Sequence, residues 1–354
     1  MMYSYQHLFA FTKAIFKNIG CPEEEAELAT EVLLSADLRG IDSHGVARLI
    51  GYVRLWESNR INATPRVQIT HETPSTAVID GDSGLGLVVA PKAMDVAIQK
   101  AQVAGTGWVS VKNSNHFGIA GYHAMKALPH DMIGIAMTNA SPLVAPTNSL
   151  ERLLGTNPIA VAIPAKEQPA FVADFATTTA ANGKLEILQR KNQEAPIGWI
   201  QDAQGNNSTN PNELKAGGAL IPLGGDTGSH KGYCLGAVVD IFSAVLSGAN
   251  YGPWVPPFVS FLPLATNLVG DGIGHFFGAM RIDAFRSADE FKLHMDNWIT
   301  TFRNSKAKST GSPVLIPGDP ERVTSEIRLQ EGIPLLEPVV KDLQTLAERF
   351  SLRF

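Results

Sequence analysis

The chain has 354 residues, 44% hydrophobic and 18% charged, with a formal net charge of -5. That length and apolar share suit two or three domains, or one large α/β unit with an appendage, and exclude a disordered chain. The acidic balance without any basic run excludes nucleic acid as a partner. The only two cysteines, Cys21 and Cys234, form no disulfide framework, which points to a reducing cytoplasm.

In chain order, spacing predicts helices over 4–19 and 22–39. Pro22 needs no amide at a helix start, and Glu23, Glu24 and Glu25 suit the positive end of the helix dipole. A third helix is predicted from Ser43 to about Ser58, capped by Asp42 or Ser43, with Val46, Leu49, Ile50 and Val53 as its buried stripe. Met1 to Ala10 lacks the charged flank and apolar core of a signal peptide, so no export signal is expected. Pro65 and the polar run 71–74 mark a crossing into a different texture.

From about Ser75, short strands alternate with helices. Strands are predicted at 77–80, 108–111, 133–138, 159–163 and 171–173. One helix is predicted from near Pro91 to a stop at Gly105, and another carries Tyr122 to Leu128. The interval 183–222 reads as surface loops. Apolar helical texture returns at Gly224, with Leu235, Val238, Val239, Phe242, Val245 and Leu246 expected to face inward. The run Tyr233 to Ala249 is interrupted by Asp240 and too short for a membrane span, so no membrane association is expected. Residues 305–313 read as a mobile loop and 314–316 as a strand-like run, and a last amphipathic helix carries Leu343, Leu346 and Phe350.

The common catalytic fingerprints are missing. No strand is followed by G-x-G-x-x-G, and there is no P-loop, H-E-x-x-H, cysteine pair or G-x-S-x-G elbow, so no metal is expected. Three other segments hold chemistry. In 42–49, His44 falls in the first turn of the predicted helix, where the dipole keeps imidazole neutral. Arg48, four residues on, can grip a carboxylate with two parallel bonds. A base beside a carboxylate clamp suits a small 2-hydroxy or 2-oxo acid, although the pair also reads as the wet side of an ordinary helix. The glycine-rich run 224–232, with Lys231, reads either as an anion site for a cofactor pyrophosphate or as a flexible loop. His116, 155–158 and 174–178 stand at strand ends, where they serve a site or plain turn chemistry.

The motif Asp-Ser-His-Gly-Val-x-Arg-Leu at 42–49 closely resembles the N-terminal signature of the malate/L-lactate dehydrogenase family. That family also includes ureidoglycolate, sulfolactate and piperideine-2-carboxylate oxidoreductases. Further matches follow in order at 113–118, 138–142, 155–158, 174–177, 230–233, 274–277 and 317–321, and together cover nearly the whole chain. The segment 250–272, with Trp254, Phe258, Phe261 and Leu262, departs from the family pattern in being more apolar.

The resemblance implies an α/β (α+β), non-Rossmann fold in which a helical domain from both chain ends carries an inserted α/β domain for NAD or NADP, NAD being favoured. Its domains would be 1–73 and 224–305 (helical), 74–223 (cofactor-binding) and a 306–354 segment that returns to the cofactor domain. It also implies a homodimer and an NAD(P)-dependent oxidoreductase moving a hydride between nicotinamide and C2 of a small 2-hydroxy acid, malate or lactate first. A cyclic imino-acid reductase, a ureidoglycolate or sulfolactate dehydrogenase and a non-catalytic homologue are the alternatives. By the same resemblance, His44 and His116 are the acid/base candidates, with Arg48 as the clamp. Ser43, Thr156 and Asn157 join Arg48 as substrate contacts, and Ser141, Asp174, Phe175, Ala176, His230, Lys231, Pro317, Gly318 and Asp319 are the cofactor contacts. Lys184, Arg190 and Lys191 are candidate partners for a 2′-phosphate.

Overall fold

The computed structural model describes residues 1–309 and 311–354. Strand β1 (Met2–Tyr3) leads into α1 (Tyr5–Asn18) and α2 (Glu23–Leu38), and one 3-10 turn (Val46–Arg48) enters α3 (Leu49–Glu57). Then come β2 (Gln68–Glu72), β3 (Thr76–Asp80), α4 (Gly86–Ala104), β4 (Thr106–Ser114), α5 (Ala120–Met125), β5 (Met132–Thr138), β6 (Ile159–Ile163) and β7 (Phe171–Phe175). Helix α6 (Asn182–Lys191) and short strands β8 (Ile200–Gln201), β9 (Asn207–Ser208) and β10 (Ala219–Leu220) precede α7 (Gly225–Asp240), which continues as a π-helical turn (Ile241–Val245). The chain closes with β11 (Ile273–Arg281), α8 (Ala288–Arg303), α9 (Asp319–Glu331), β12 (Ile333–Pro334) and α10 (Glu337–Arg349).

Seven strands form the main sheet in the order β2-β3-β4-β11-β5-β6-β7. Only β3 and β4 run parallel, whereas a dinucleotide-binding Rossmann sheet is mostly parallel. Helices α4 and α5 cover one face through small residues such as Ala93, Ala97, Ala101, Ala120 and Ala124. The contact is backbone on backbone: a Cβ on Gly107 of β4 would lie 2.0 Å from the Ala97 carbonyl oxygen. Gly105, at φ 85°, ends α4 as its spacing predicts. A separate helical core packs Leu8, Phe16, Leu33, Leu49 and Tyr52 against Leu343 and Leu346, so both chain ends meet there and β1 pairs with β12.

The structure departs from the sequence reading in five places. β11 lies inside the stretch read as helical, yet it is the middle strand of the sheet; buried on both faces, it shows no polar alternation. With β2, it falls within segments 1–73 and 224–305, which the resemblance gives to the helical domain. The interval 183–222 holds α6 and a three-stranded sheet around Leu185, Ile200, Leu214 and Leu220 rather than surface loops alone. Residues 314–316 form no strand, and the expected loop at 305–313 is irregular, with position 310 outside the described residues. Of the α7 stripe expected to face inward, Val239 is buried, whereas Leu235, Val238, Phe242, Val245 and Leu246 are exposed.

Candidate active site

The loop bearing His44 is built by contacts from a distance. Asp37, buried on α2, accepts the Val46 amide at 2.8 Å. Gly45 lies against the same carboxylate, 2.1 Å from where a Cβ would stand. Arg328 of α9 binds both Asp42 and the Asp37 carbonyl. These bonds hold the chain as a turn, so the expected helix start at Ser43 is displaced to the 3-10 turn at Val46. Neither Asp42 nor Ser43 caps it; Ser43 Oγ instead lies 2.9 Å from His44 Nδ1. His44 is therefore kept neutral by burial and by Arg48, which lower its pKa to about 3, and not by a helix dipole.

His116 follows the end of β4 and enters the same pocket, its ring 5.7 Å from that of His44 and nearly parallel to it. Tyr52, fully buried on α3, places its hydroxyl 2.6 Å from His116 Nδ1, and the Gly118 amide points at that nitrogen from 3.3 Å. Nε2 is left for the pocket. Burial, reinforced by His44 and Arg48, holds His116 well below the usual histidine range. The Phe258 ring packs 4.6 Å from His116 and 5.1 Å from Tyr52, and its amide donates to Ser141 Oγ at 2.9 Å.

Arg48 reaches the pocket from the start of α3. Its Nε donates to the Ser43 carbonyl at 2.6 Å, and its two terminal nitrogens meet the Glu186 carboxylate of α6 at 3.3 and 2.9 Å. Asn182 Nδ2 also donates to Glu186, at 2.8 Å. The clamp is thus closed on an internal carboxylate.

A larger groove of about 680 Å³ runs from His44 and Thr156 along Gly118, Asp174, Phe175 and Ala176 to Lys184 and Glu321. Asp174 accepts the Gly121 amide at 2.7 Å, and burial raises its carboxyl to about 6 against that bond and the charge of Arg39.

A family model described as malate/L-lactate dehydrogenase matches residues 3–344. The chain belongs to this family. The malate dehydrogenase of Pyrococcus abyssi is 44% identical over 98% of this chain and 94% of that protein. The malate/(S)-sulfolactate dehydrogenase of Methanothermus fervidus is 39% identical over 96% of this chain and 95% of that protein. The solved malate dehydrogenase of Pyrococcus horikoshii superposes with a TM-score of 0.90 at 39% identity, covering 100% of this chain and 96% of that one. The protein is an NAD(P)-dependent 2-hydroxy-acid dehydrogenase.

In this dehydrogenase, His44, Arg48, His116, Ser141 and Thr156 line one pocket, and Ser43, Asp174, Phe175 and Ala176 line the adjoining groove. The groove is lined largely by small residues with one cation, Lys184, a donor set that a nicotinamide dinucleotide would fit. Other candidates lie apart from both. Asn157 is buried and donates to the Gly236 carbonyl at 2.9 Å. His230 and Lys231 are exposed near the start of α7 and line neither cavity. Pro317 accepts the Val172 amide at 3.0 Å, Gly318 caps α9, and Asp319 is held by Arg303 and Arg322. Glu321, in the first turn of α9, reaches the groove instead. Tyr52, Glu186 and Glu321 escape the sequence reading. Tyr52, at i+4 from Arg48 on one helix face, is the one whose spacing could have found it.

Proposed function

We propose that this dehydrogenase oxidises malate or lactate at C2, and reduces the matching 2-oxo acid, in the pocket between His44, His116 and Arg48. The observation that carries the reading is the joint lining of that pocket by two neutral imidazoles and a guanidinium, where it opens on the groove. Bound nicotinamide supplies the hydride acceptor. Arg48 exchanges Glu186 for the substrate carboxylate. A neutral imidazole of the histidine pair takes the hydroxyl proton; with the rings 5.7 Å apart, one at a time carries charge and the pair titrates as a unit. Phe258 shields the pair from water. Ser141 and the Asp174–Ala176 strand end would border the cofactor, for which NAD is the favoured form.

The test is nicotinamide absorbance with NADH and NADPH against oxaloacetate, pyruvate and a cyclic imino acid. Turnover of the imine alone overturns the hydroxy-acid reading. His44→Asn and His116→Asn, made in parallel, should each lower turnover by about 10²–10⁴-fold with cofactor affinity kept.

The working form we propose is a cytoplasmic homodimer. The exposed stripe Leu235, Val238, Ile241, Phe242, Val245 and Leu246 is the kind of face a second copy covers. The two free cysteines suit a reducing compartment, and among the described residues no helix is long and apolar enough to cross a membrane. Sedimentation should show a dimer that Phe242→Glu dissociates.

A further inference from the structure

Beside the catalytic pocket lies a second cavity of about 350 Å³. The two share Arg48, Asn182, Phe258 and Val259, so they adjoin across a common set of side chains. Helix α3 and the 3-10 turn that enters it send two arginines to its wall, Arg54 and Arg48, six residues and ~9 Å of helix rise apart. Arg48 is matched by Glu186. Arg54 is half-buried, and its partner is the Phe258 carbonyl; no carboxylate pairs with it among the described residues. Lys215 on the same wall bonds only a neutral amide, Gln189 Oε1, at 3.2 Å. The cavity's two carboxylates face other cations, Glu186 at Arg48 and Asp342 at Arg190, the latter 3.8 Å away.

Two positive groups are therefore left over, one of them half-buried. A guanidinium withdrawn from water without a counter-ion is costly, and it keeps four of its five N–H donors for an incoming group. Its planar fork matches a carboxylate or a sulfonate. We propose that Arg54, supported by Lys215, binds a second acidic group on the substrate, so that the site is built for dianionic 2-hydroxy acids. One helix then reads both ends of the molecule, Arg48 the carboxylate next to the reacting carbon and Arg54 the distal acid. A substrate with a methyl group at the distal end leaves Arg54 unmatched.

This inference rests on the hydride-transfer reading above, and its test separates the two. The kcat/KM ratio for malate over lactate is measured with NAD for the unaltered protein, Arg54→Gln and Arg54→Lys. Arg54→Gln should lower the ratio by about 10–100-fold, mainly through the malate KM, and Arg54→Lys should restore part of it. If Arg54 only anchors the segment carrying Phe258, both substrates suffer equally, the ratio stays constant, and the proposal is overturned. Calorimetric binding of malate and lactate reads the same site without turnover. A protein that turns over neither acid, yet binds malate better than lactate until Arg54 is replaced, refutes the dehydrogenase reading and keeps this one. Equal binding of both acids refutes this one.

Discussion

Replacing Tyr52 by Phe removes one oxygen atom and keeps the ring that packs in the helical core. What is lost is the 2.6 Å bond to His116 Nδ1, leaving that nitrogen with the Gly118 amide at 3.3 Å. A buried bond of this kind is worth about 1–3 kcal/mol once its partner is left wanting. If the whole loss is felt when His116 carries a proton, kcat falls about 5–150-fold, since 1.36 kcal/mol is tenfold in rate. The phenol can donate to the neutral ring or accept from the imidazolium, and the second bond, being charge-assisted, is the stronger. Its removal therefore disfavours the protonated pair, and the titration seen in 2-oxo acid reduction should move about 0.7–2.2 pH units lower. KM should hardly change, because Arg48 binds the carboxylate. The assay is kcat and KM for reduction at saturating NADH across pH, with a melting curve to report folding. A variant that is less stable but has the same kcat and pH profile refutes the positioning role.

Arg48→Lys keeps charge but loses the fork that now spans both Glu186 oxygens, so kcat/KM should fall about 10–100-fold, mostly through KM. Unchanged kinetics would remove Arg48 from the site. Glu186→Gln deletes the internal competitor for that fork, and the KM for the acid should drop several-fold; a higher KM would mean that Glu186 holds Arg48 in place. Stability should fall with acid between pH 6.5 and 5. His44, His116, His123 and His275 are all depressed by burial, so the unfolded chain binds four protons there that the folded chain refuses. Asp37 and Asp174, raised to about 8 and about 6, bind two in the folded chain. The four histidines outweigh these carboxyls in that window, so stability should decline as acid is added, and a flat urea-unfolding profile would contradict it.

Much of this molecule is legible in its sequence because the signals are local. α1, α2 and α10 follow from apolar spacing, and Gly105 stops α4 where it should. The misses share a cause: something distant decides them. The His44 loop is no helix start because Asp37, nine residues upstream of Val46, has taken its amide. Ile273–Arg281 reads like the helical texture around it because a strand buried on both faces loses its alternation. The α7 stripe is visible as apolar, but periodicity does not say whether its own chain covers it. At the site, His44, Arg48 and His116 are readable as residue types at strand ends and turns. Glu186 and Arg54 acquire meaning only when α6 and α3 are brought face to face.

The middle strand of the sheet has a consequence for how the protein is made. β4 and β5 are neighbours in sequence, yet they end two strand spacings apart, ~10 Å, with β11 between them. From the end of β5 at residue 138 to the start of β11 at 273 the ribosome must add 135 residues. At about 5–20 residues per second that is roughly 7–27 s. Throughout that interval both strands present unpaired backbone edges to each other and to other nascent chains. Their pairing with each other would trap a six-stranded sheet that has no slot for β11. Synthesis of this enzyme should therefore depend on a holdase during that window, and chains stopped before residue 273 should aggregate rather than fold in part.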